Sequence, residues 1–322
     1  MHPIDPADVA RFGQDLGALW PERGAGVLGV AVSGGPDSIA LLLLATQALP
    51  GAVEAATVDH RLRAESAQEA AAVADLCRAL GVPHATLAVE VADGNLQAKA
   101  RAARYGALAG WAEAHGLAAV ATAHHADDQA ETLLLRLNRA SGVAGLAGTR
   151  ARSAVPGSTL PLLRPLLGWR KSGLAGVVAA AGLAAADDPS NADDRFDRAR
   201  LRKALAQVDW LDVPAIAASA TYLADADAAL DWAARREWAE CVSTEGLGIV
   251  YRPQAPRAVA LRVLTRIVTQ LDGVEPRGAT VARVFDTLIA RQPASIGNLV
   301  ARATPAGWSF VKAPQRRAPK SS

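Results

Sequence analysis

The stretch VAVSGGPDS, Val30 to Ser38, constrains the architecture more than any other part of this sequence. An apolar, β-prone run, Val27 to Val32, ends in a serine and a glycine pair, and Ser38 to Ala48 then reads as a helix. Glycines let a backbone approach a ligand closely. Free N–H groups and the dipole of a helix N-terminus favour an anion. The loop is neither a Walker A motif, since Gly-Lys-Ser/Thr is missing, nor a GxGxxG turn.

The strand-to-helix unit recurs. Val53 to Val58 predicts a second strand, Ala64 to Leu80 a helix stopped by Gly81-Val82-Pro83, and His84 to Val89 a third strand. Leu96 to His115 is a long helix, Leu117 to Ala123 a fourth strand and Ala126 to Arg139 a further helix. Such alternation implies βαβ units, hence an α/β fold with a mostly parallel sheet and helices on both faces. Ligands of these sheets bind beyond the carboxyl ends of the strands. Ser33 to Ser38, Asp59 to Arg63 and His124 to Glu131 all follow strands, so they are expected to converge on one rim.

The chain has 322 residues, enough for one large or two modest domains, and 51% of them are apolar. No apolar run is long enough to span a bilayer, and the first residues lack the basic and apolar regions of a signal peptide. Cys77 and Cys241 are far apart and form no CxxC pair, which speaks against a disulfide framework or zinc ribbon and for a reducing, cytoplasmic setting. Gly142 to Gly157 reads as a mobile loop, and Gly168 to Arg202 as mostly helix broken at Asp187-Asp188-Pro189. At VDWLDVP, from Val208, the pattern resets. Residues 1–208 are therefore expected as one domain and 209–322 as a smaller, mainly helical one, with helices at Ala215 to Cys241 and Ala258 to Leu271 and a disordered basic tail from Ala313.

AHHADDQAETLLLRLNR is the second chemical constellation. Helical geometry puts His124, Asp128, Glu131 and Leu135 on one side and Ala130, Leu133 and Leu137 opposite. The two carboxylates suit a cation, either a metal or an ammonium group; a solvated acidic face satisfies the same pattern. His60, after the second strand, reads equally as a loop histidine or a ligand.

Six motifs occur in order over the first 200 residues: Ser33 to Ser38, VDHRLR (Val58 to Arg63), NLQAKARAARY (Asn95 to Tyr105), AHHADDQAET (Ala123 to Thr132), RPLL (Arg164 to Leu167) and DPSNADDRFDRARLR (Asp188 to Arg202). Together they resemble the tRNA(Ile)-lysidine synthases, members of the N-type ATP pyrophosphatases with a PP-loop fold. The resemblance implies a two-step reaction using ATP and Mg2+. ATP adenylylates the C2 oxygen of the wobble cytidine of a tRNA(Ile) with a CAU anticodon, and free L-lysine then attacks C2 and displaces AMP to give lysidine. It implies an ATP site at Ser33, Gly34, Gly35, Pro36, Asp37, Ser38 and His60, with Asp37 near the magnesium. It further implies catalytic roles for Asp37, His124, Arg198 and Arg202, and lysine binding by Asp128 and Glu131. The family spells its last motif Arg-Asn-x-Ile-Arg; here Ala199 and Leu201 replace the Asn and Ile, and Arg200 adds a third arginine. A tRNA-thiolating relative would need paired cysteines, and a non-catalytic tRNA-binding protein would not need the loop and carboxylates intact.

The net charge of +2 hides an asymmetry. From Tyr251 onward there are 12 Lys/Arg and 3 Asp/Glu, so +9, leaving 2 − 9 = −7 for the first 250 residues. Arg136 to Ala186 is a second stretch without acids. Solvated faces and a surface for a polyanion such as tRNA both fit this distribution. Arg257, Arg262, Arg266, Arg277 and Arg283 are the candidate contacts of the C-terminal domain. The oligomeric state is left open by the sequence.

Overall fold

A computed structural model of the chain describes residues 2–60, 66–89, 96–183, 197–205 and 207–313. The break expected at 187–189, the Asp188 to Asn191 motif, Arg61 to Arg63 and the tail beyond Ala313 lie outside these residues. The chain divides into two compact units, Met1–Ala224 and Asp225–Ser322, and the division falls inside a long helix.

The first unit is the α/β layer structure that the alternation predicts. Its sheet contains β1 (Leu28–Ala31), β2 (Val53–Asp59), β3 (His84–Ala88), β4 (Ala119–Ala121), β5 (Arg152–Ala154) and β6 (Pro161–Leu163) in the order β3-β2-β1-β4-β6-β5. All pairs are parallel except β5 with β6. One face is covered by α1 (Pro6–Leu19), α2 (Pro36–Ala48), α3 (Ser66–Leu80) and α7 (Lys171–Ala180), which bury Phe12, Leu16, Leu41, Leu44, Val73, Leu174 and Val177 with the β1 residues Leu28 and Val30. α2 is apolar almost all round, which suits a helix buried on every side. The other face is covered by α4 (Leu96–Ala114), whose Tyr105, Leu108, Trp111 and Ala112 pack on Ala56, Val120 and Leu162.

Gly29 sits mid-strand in β1 because α4 comes so close. A Cβ there would stand 2.8 Å from the Trp111 ring and 2.9 Å from Leu117. Gly29→Ala should therefore cost about 1–3 kcal/mol through overpacking, seen as a lower urea midpoint. An unchanged midpoint would mean that Trp111 tilts aside freely.

Strand order reverses between β1 and β4, so the crevice at their carboxyl ends is the switch point where such sheets bind ligands. The segment expected as a loop, Gly142 to Gly157, is instead organised by a short helix, α6 (Val143–Leu146), and by β5. The buried Gln129 amide of α5 (Ala126–Leu137) pins it: Nε2 donates to the Thr149 carbonyl at 2.8 Å and Oε1 accepts from the Thr149 N–H at 2.7 Å. α8 (Asp197–Leu205) and the first part of α9 (Val213–Cys241) complete this unit.

The second unit carries the helices expected, the end of α9 and α10 (Arg257–Asp272), plus α11 (Gly278–Ile289). It also carries a five-stranded antiparallel sheet that the sequence reading did not contain. Its strands are β7 (Val242–Glu245), β8 (Gly248–Tyr251), β9 (Ala294–Ile296), β10 (Leu299–Thr304) and β11 (Gly307–Lys312), in the order β7-β8-β11-β10-β9. Tyr251, Trp308 and Phe310 form its core with Val263, Leu264 and Ile267 of α10 and Val284 of α11. Buried Glu237 accepts from the Tyr251 hydroxyl at 3.0 Å and from the amides of Gln254 and Ala255. Among the described residues, no helix is long and apolar enough to cross a membrane.

Candidate active site

The loop after β1 is built to present N–H groups. Gly34 has φ +88°, open to glycine at little cost. Gly35 is the extended N-cap of α2 and Pro36 its first residue. Ser38, only 5% exposed, fastens the turn: its Oγ donates to the Gly35 carbonyl at 2.9 Å, accepts from Ser33 N–H at 3.1 Å and lies 3.2 Å from Ser33 Oγ. The amides of Gly34, Gly35 and Asp37 have no partner among the described residues. Three unused donors at a helix N-terminus make an anion cradle.

Asp37, in the first turn of α2, sits at the edge of this cradle. Its Oδ1 is shut off from solvent and has no hydrogen-bond partner. Its Oδ2 lies 3.4 Å from His125 Nε2. The His125 ring is buried at the N-cap of α5, in a capping box with Asp128. Its Nε2 is also 3.5 Å from Asp128 Oδ2, and its Nδ1 is 3.7 Å from Asp127 Oδ2. Burial opposes charge on this imidazole, but the Asp37 hydrogen bond and the three carboxylates outweigh it and raise its pKa. Asp127 has a different task. Burial would raise its pKa, yet the Lys171 N–H at 2.8 Å and Arg170 at 3.1 Å lower it, tying α5 to the start of α7.

His124 follows β4, and its Nδ1 lies 3.0 Å from Thr122 Oγ1. Burial, then the Arg164 charge, pushes its pKa down to about 4 against the pull of Asp128. It is therefore neutral at pH 7. His60, at the end of β2, has a buried Nδ1 without a partner, and burial followed by Arg104 lowers its pKa.

Asp128 and Glu131 share one side of α5, as helical spacing predicts. The cation between them is Arg202 of α8. Its Nε donates to Glu131 Oε1, its Nη2 donates to Glu131 Oε2 at 3.1 Å, and Nη2 lies 3.6 Å from Asp128 Oδ1. Glu131 is 3% exposed and Arg202 30%, so the carboxylate is buried while the guanidinium is half-buried. Arg198 Nη2 donates to Thr132 Oγ1 at 3.0 Å, while Arg200 turns to Asp197. Ala199 is buried, so the position where the related motif has Asn is an interior one. The structure thus brings Asp37, Asp128, Glu131 and Arg202 together through His125, with Arg198 one residue along α5 at Thr132.

A family model for the PP-loop domain matches residues 9–209. A tRNA(Ile)-lysidine synthase from Novosphingobium aromaticivorans is 48% identical over 313 residues, which cover 96% of this chain and 95% of the relative. The chain belongs to the tRNA(Ile)-lysidine synthase family. The lysidine synthase of Zymomonas mobilis is 39% identical over 96% of this chain and 95% of its own. Among solved structures, the U34-tRNA thiolase NcsA from Methanococcus maripaludis has a TM-score of 0.51 at 11% identity, covering 68% of this chain and 78% of that one, a likeness of fold alone.

Lysidine synthases are ATP-dependent ligases, and the cysteines here accord with that rather than with sulfur chemistry. Both are free and buried, and burial pushes Cys77 up to about 11. A thiol held so far from ionisation is a poor nucleophile. The residue that sequence reasoning missed in this candidate site is His125. Its signal was its place directly before the first turn of α5, where a side chain caps the helix instead of following its faces.

Proposed function

We propose that the chain ligates L-lysine to C2 of the wobble cytidine of a CAU-anticodon tRNA(Ile), with the crevice between β1 and β4 as its catalytic centre. The observation that carries this is the juxtaposition of an N–H cradle with an orphan carboxylate oxygen on Asp37 and a carboxylate pair on α5. In the first step the C2 oxygen attacks the α-phosphorus of ATP, the bond to the β-phosphate breaks, and pyrophosphate departs into the amides of Gly34, Gly35 and Asp37. His60 borders the same rim. Among the described residues no cluster of three ligands could hold a metal by itself. One carboxylate oxygen plus phosphate oxygens is how Mg2+ is commonly bound, so Asp37 Oδ1 fits the ion. Bound there, magnesium would supply neutralisation of the developing pyrophosphate charge. Neutral His124 can donate one N–H to a phosphate oxygen, and Arg198 and Arg202 supply positive charge.

In the second step the ε-amine of lysine attacks C2. The C2–O bond breaks, AMP leaves with that oxygen, and the amine sheds a proton. Asp128 and Glu131 would take the ammonium groups of lysine on carboxylates that also hold Arg202. Residues 1–208 carry the chemistry and 209–322 bind tRNA in this reading, which makes the protein a cytoplasmic enzyme. The test is pyrophosphate release by the purified chain with ATP. It should require a CAU-anticodon tRNA(Ile) transcript, and release with a transcript whose wobble base is uridine would count against the reading.

The C-terminal basic surface is narrower than its charge suggests. Arg257 pairs with Asp286 at 3.1 Å, Arg262 is held by Asp227 and Asp231, and Arg266 stacks 3.9 Å from the Trp238 ring. These three have structural work within the unit. Arg277, Arg283, Arg291 and Arg302 make no ion pair among the described residues. Reversing those four charges should weaken tRNA binding and reduce the slope of log affinity against log salt by up to about 0.9 per lost phosphate contact. Identical salt titrations for wild type and variant would exclude this surface.

A further inference from the structure

His125 is used by neither step above, yet it is 2% exposed and its two ring nitrogens face two different elements. Nδ1 accepts the Asp128 N–H at 3.4 Å as the N-cap of α5. While Nδ1 accepts a hydrogen bond it carries no proton, so the proton of the ring is on Nε2. A charged ring has the same Nε2–H. That N–H lies on the side of Asp37, with Nε2 3.4 Å from Asp37 Oδ2 and 3.5 Å from Asp128 Oδ2. Asp128 Oδ2 already accepts the backbone N–H of His125 at 3.2 Å. Among the described residues, His125 is the only ion-pair partner of Asp37. A separation of 3.4 Å is long for a hydrogen bond, as contacts in catalytic sites often are before a substrate tightens them.

The ring is the fixed member of this contact. The Ala126 N–H donates to the Trp169 carbonyl at 2.9 Å, and Asp127 accepts the Lys171 N–H at 2.8 Å, so the start of α5 is fastened on both sides of the cap. Asp37 is freer, with 27% of its side chain exposed. A carboxylate turns about its Cβ–Cγ bond. Holding Oδ2 stops that rotation and thereby sets where Oδ1 stands, and Oδ1 is the oxygen without a protein partner. Carboxylates that meet a metal are commonly held in this way by a second hydrogen-bonding group, whose loss lowers metal affinity or activity about 10- to 100-fold.

We propose that His125 is a positioning residue for adenylation: its Nε2 holds Asp37 Oδ2 so that Oδ1 is presented to the magnesium of ATP, and its Nδ1 ties that carboxylate to the helix end that carries Asp128. This rests on the reading of Asp37 given above. Two substitutions separate the two nitrogens. In His125→Asn the amide oxygen takes the place of Nδ1, and Asn is among the preferred N-caps, so the cap survives and the reach to Asp37 is lost. In His125→Gln the amide nitrogen extends to the place of Nε2, so the contact with Asp37 survives and the cap does not. The experiment measures the melting temperature of each full chain, its Kd for ATP by calorimetry in EDTA and in excess Mg2+, and its rate of adenylate formation on a CAU-anticodon tRNA(Ile) transcript. Wild type should bind ATP more tightly with magnesium than in EDTA. His125→Asn should melt where wild type does and bind ATP in EDTA as wild type does. It should lose about tenfold or more of the affinity that magnesium adds, and form adenylate more slowly by a similar factor. His125→Gln should melt a few degrees lower, the effect of a lost cap, yet keep most of the magnesium gain and of the rate. A magnesium gain that is unchanged in His125→Asn, or that falls equally in both variants, overturns the proposal and leaves His125 a helix cap alone. A wild-type chain whose ATP affinity is the same in EDTA and in magnesium would instead overturn the placement of magnesium at Asp37, and with it the task assigned to His125.

Discussion

Asp37→Ala is expected to slow tRNA-dependent pyrophosphate release by about a hundredfold or more, the range for losing one preorganised electrostatic contact to a transition state. The geometry gives the reason. Oδ1 has no protein partner, so its loss costs the fold little, while Oδ2 is the group facing buried His125. The serine-fastened turn and its free amides remain in the variant. ATP should therefore still bind, and the defect should fall on the chemical step. Rapid-quench measurement of adenylate separates the two. A variant that makes adenylate at the normal rate would remove Asp37 from the mechanism.

Asp128→Asn and Glu131→Gln should raise the lysine KM by tenfold or more while adenylate still forms, because each removes a charged partner from an ammonium group. The two variants should differ in stability. Glu131 is buried against Arg202 and makes both of that pair's hydrogen bonds, whereas Asp128 meets Arg202 only at 3.6 Å. Breaking one side of a fully buried ion pair typically costs about 3–5 kcal/mol, and the 30% exposure of Arg202 reduces that here. Glu131→Gln should accordingly lower the melting temperature markedly and Asp128→Asn only slightly. Equal loss of adenylate formation with an unchanged lysine KM would contradict the lysine-binding role.

The α/β layer was legible because its signals are local. Each apolar strand ends at a loop with its own chemistry, and alternation with helices leaves a parallel sheet as the natural solution, so Ser33, His60 and His124 reach one rim. His125 was hidden for a geometric reason. A helical wheel assumes about 100° per residue, but His125 is an extended N-cap with φ −130° and ψ 179°. The wheel therefore cannot be run backwards from Asp128 to His124. It is the N-cap residue that turns toward Asp37.

Charge counting sees only part of the surface for a related reason. Three of the seven basic residues in the acid-free stretch from Arg136 to Ala186 meet acids distant in sequence: Arg139 meets Asp197, Arg152 meets Glu22 and Arg170 meets Asp127. Arg257 and Arg262 are matched in the same way by partners 29 to 35 residues away. Local composition sees none of these pairs. The C-terminal sheet escaped notice because its strands are only three to six residues long and their apolar residues are interrupted by Ser, Thr and Gly. Their apolar alternation is clear only once Leu299, Ala301, Trp308 and Phe310 are seen to face α10 and α11 together.

The central claim is that one crevice first adenylates a tRNA base and then joins lysine to it. Radiolabelled lysine, ATP and a CAU-anticodon tRNA(Ile) transcript, incubated with the purified chain, test it most directly. The account predicts one lysine incorporated per tRNA, with one AMP and one pyrophosphate released, and no label in the tRNA without ATP. Pyrophosphate release with no lysine entering the tRNA, or labelling that does not need ATP, would contradict it.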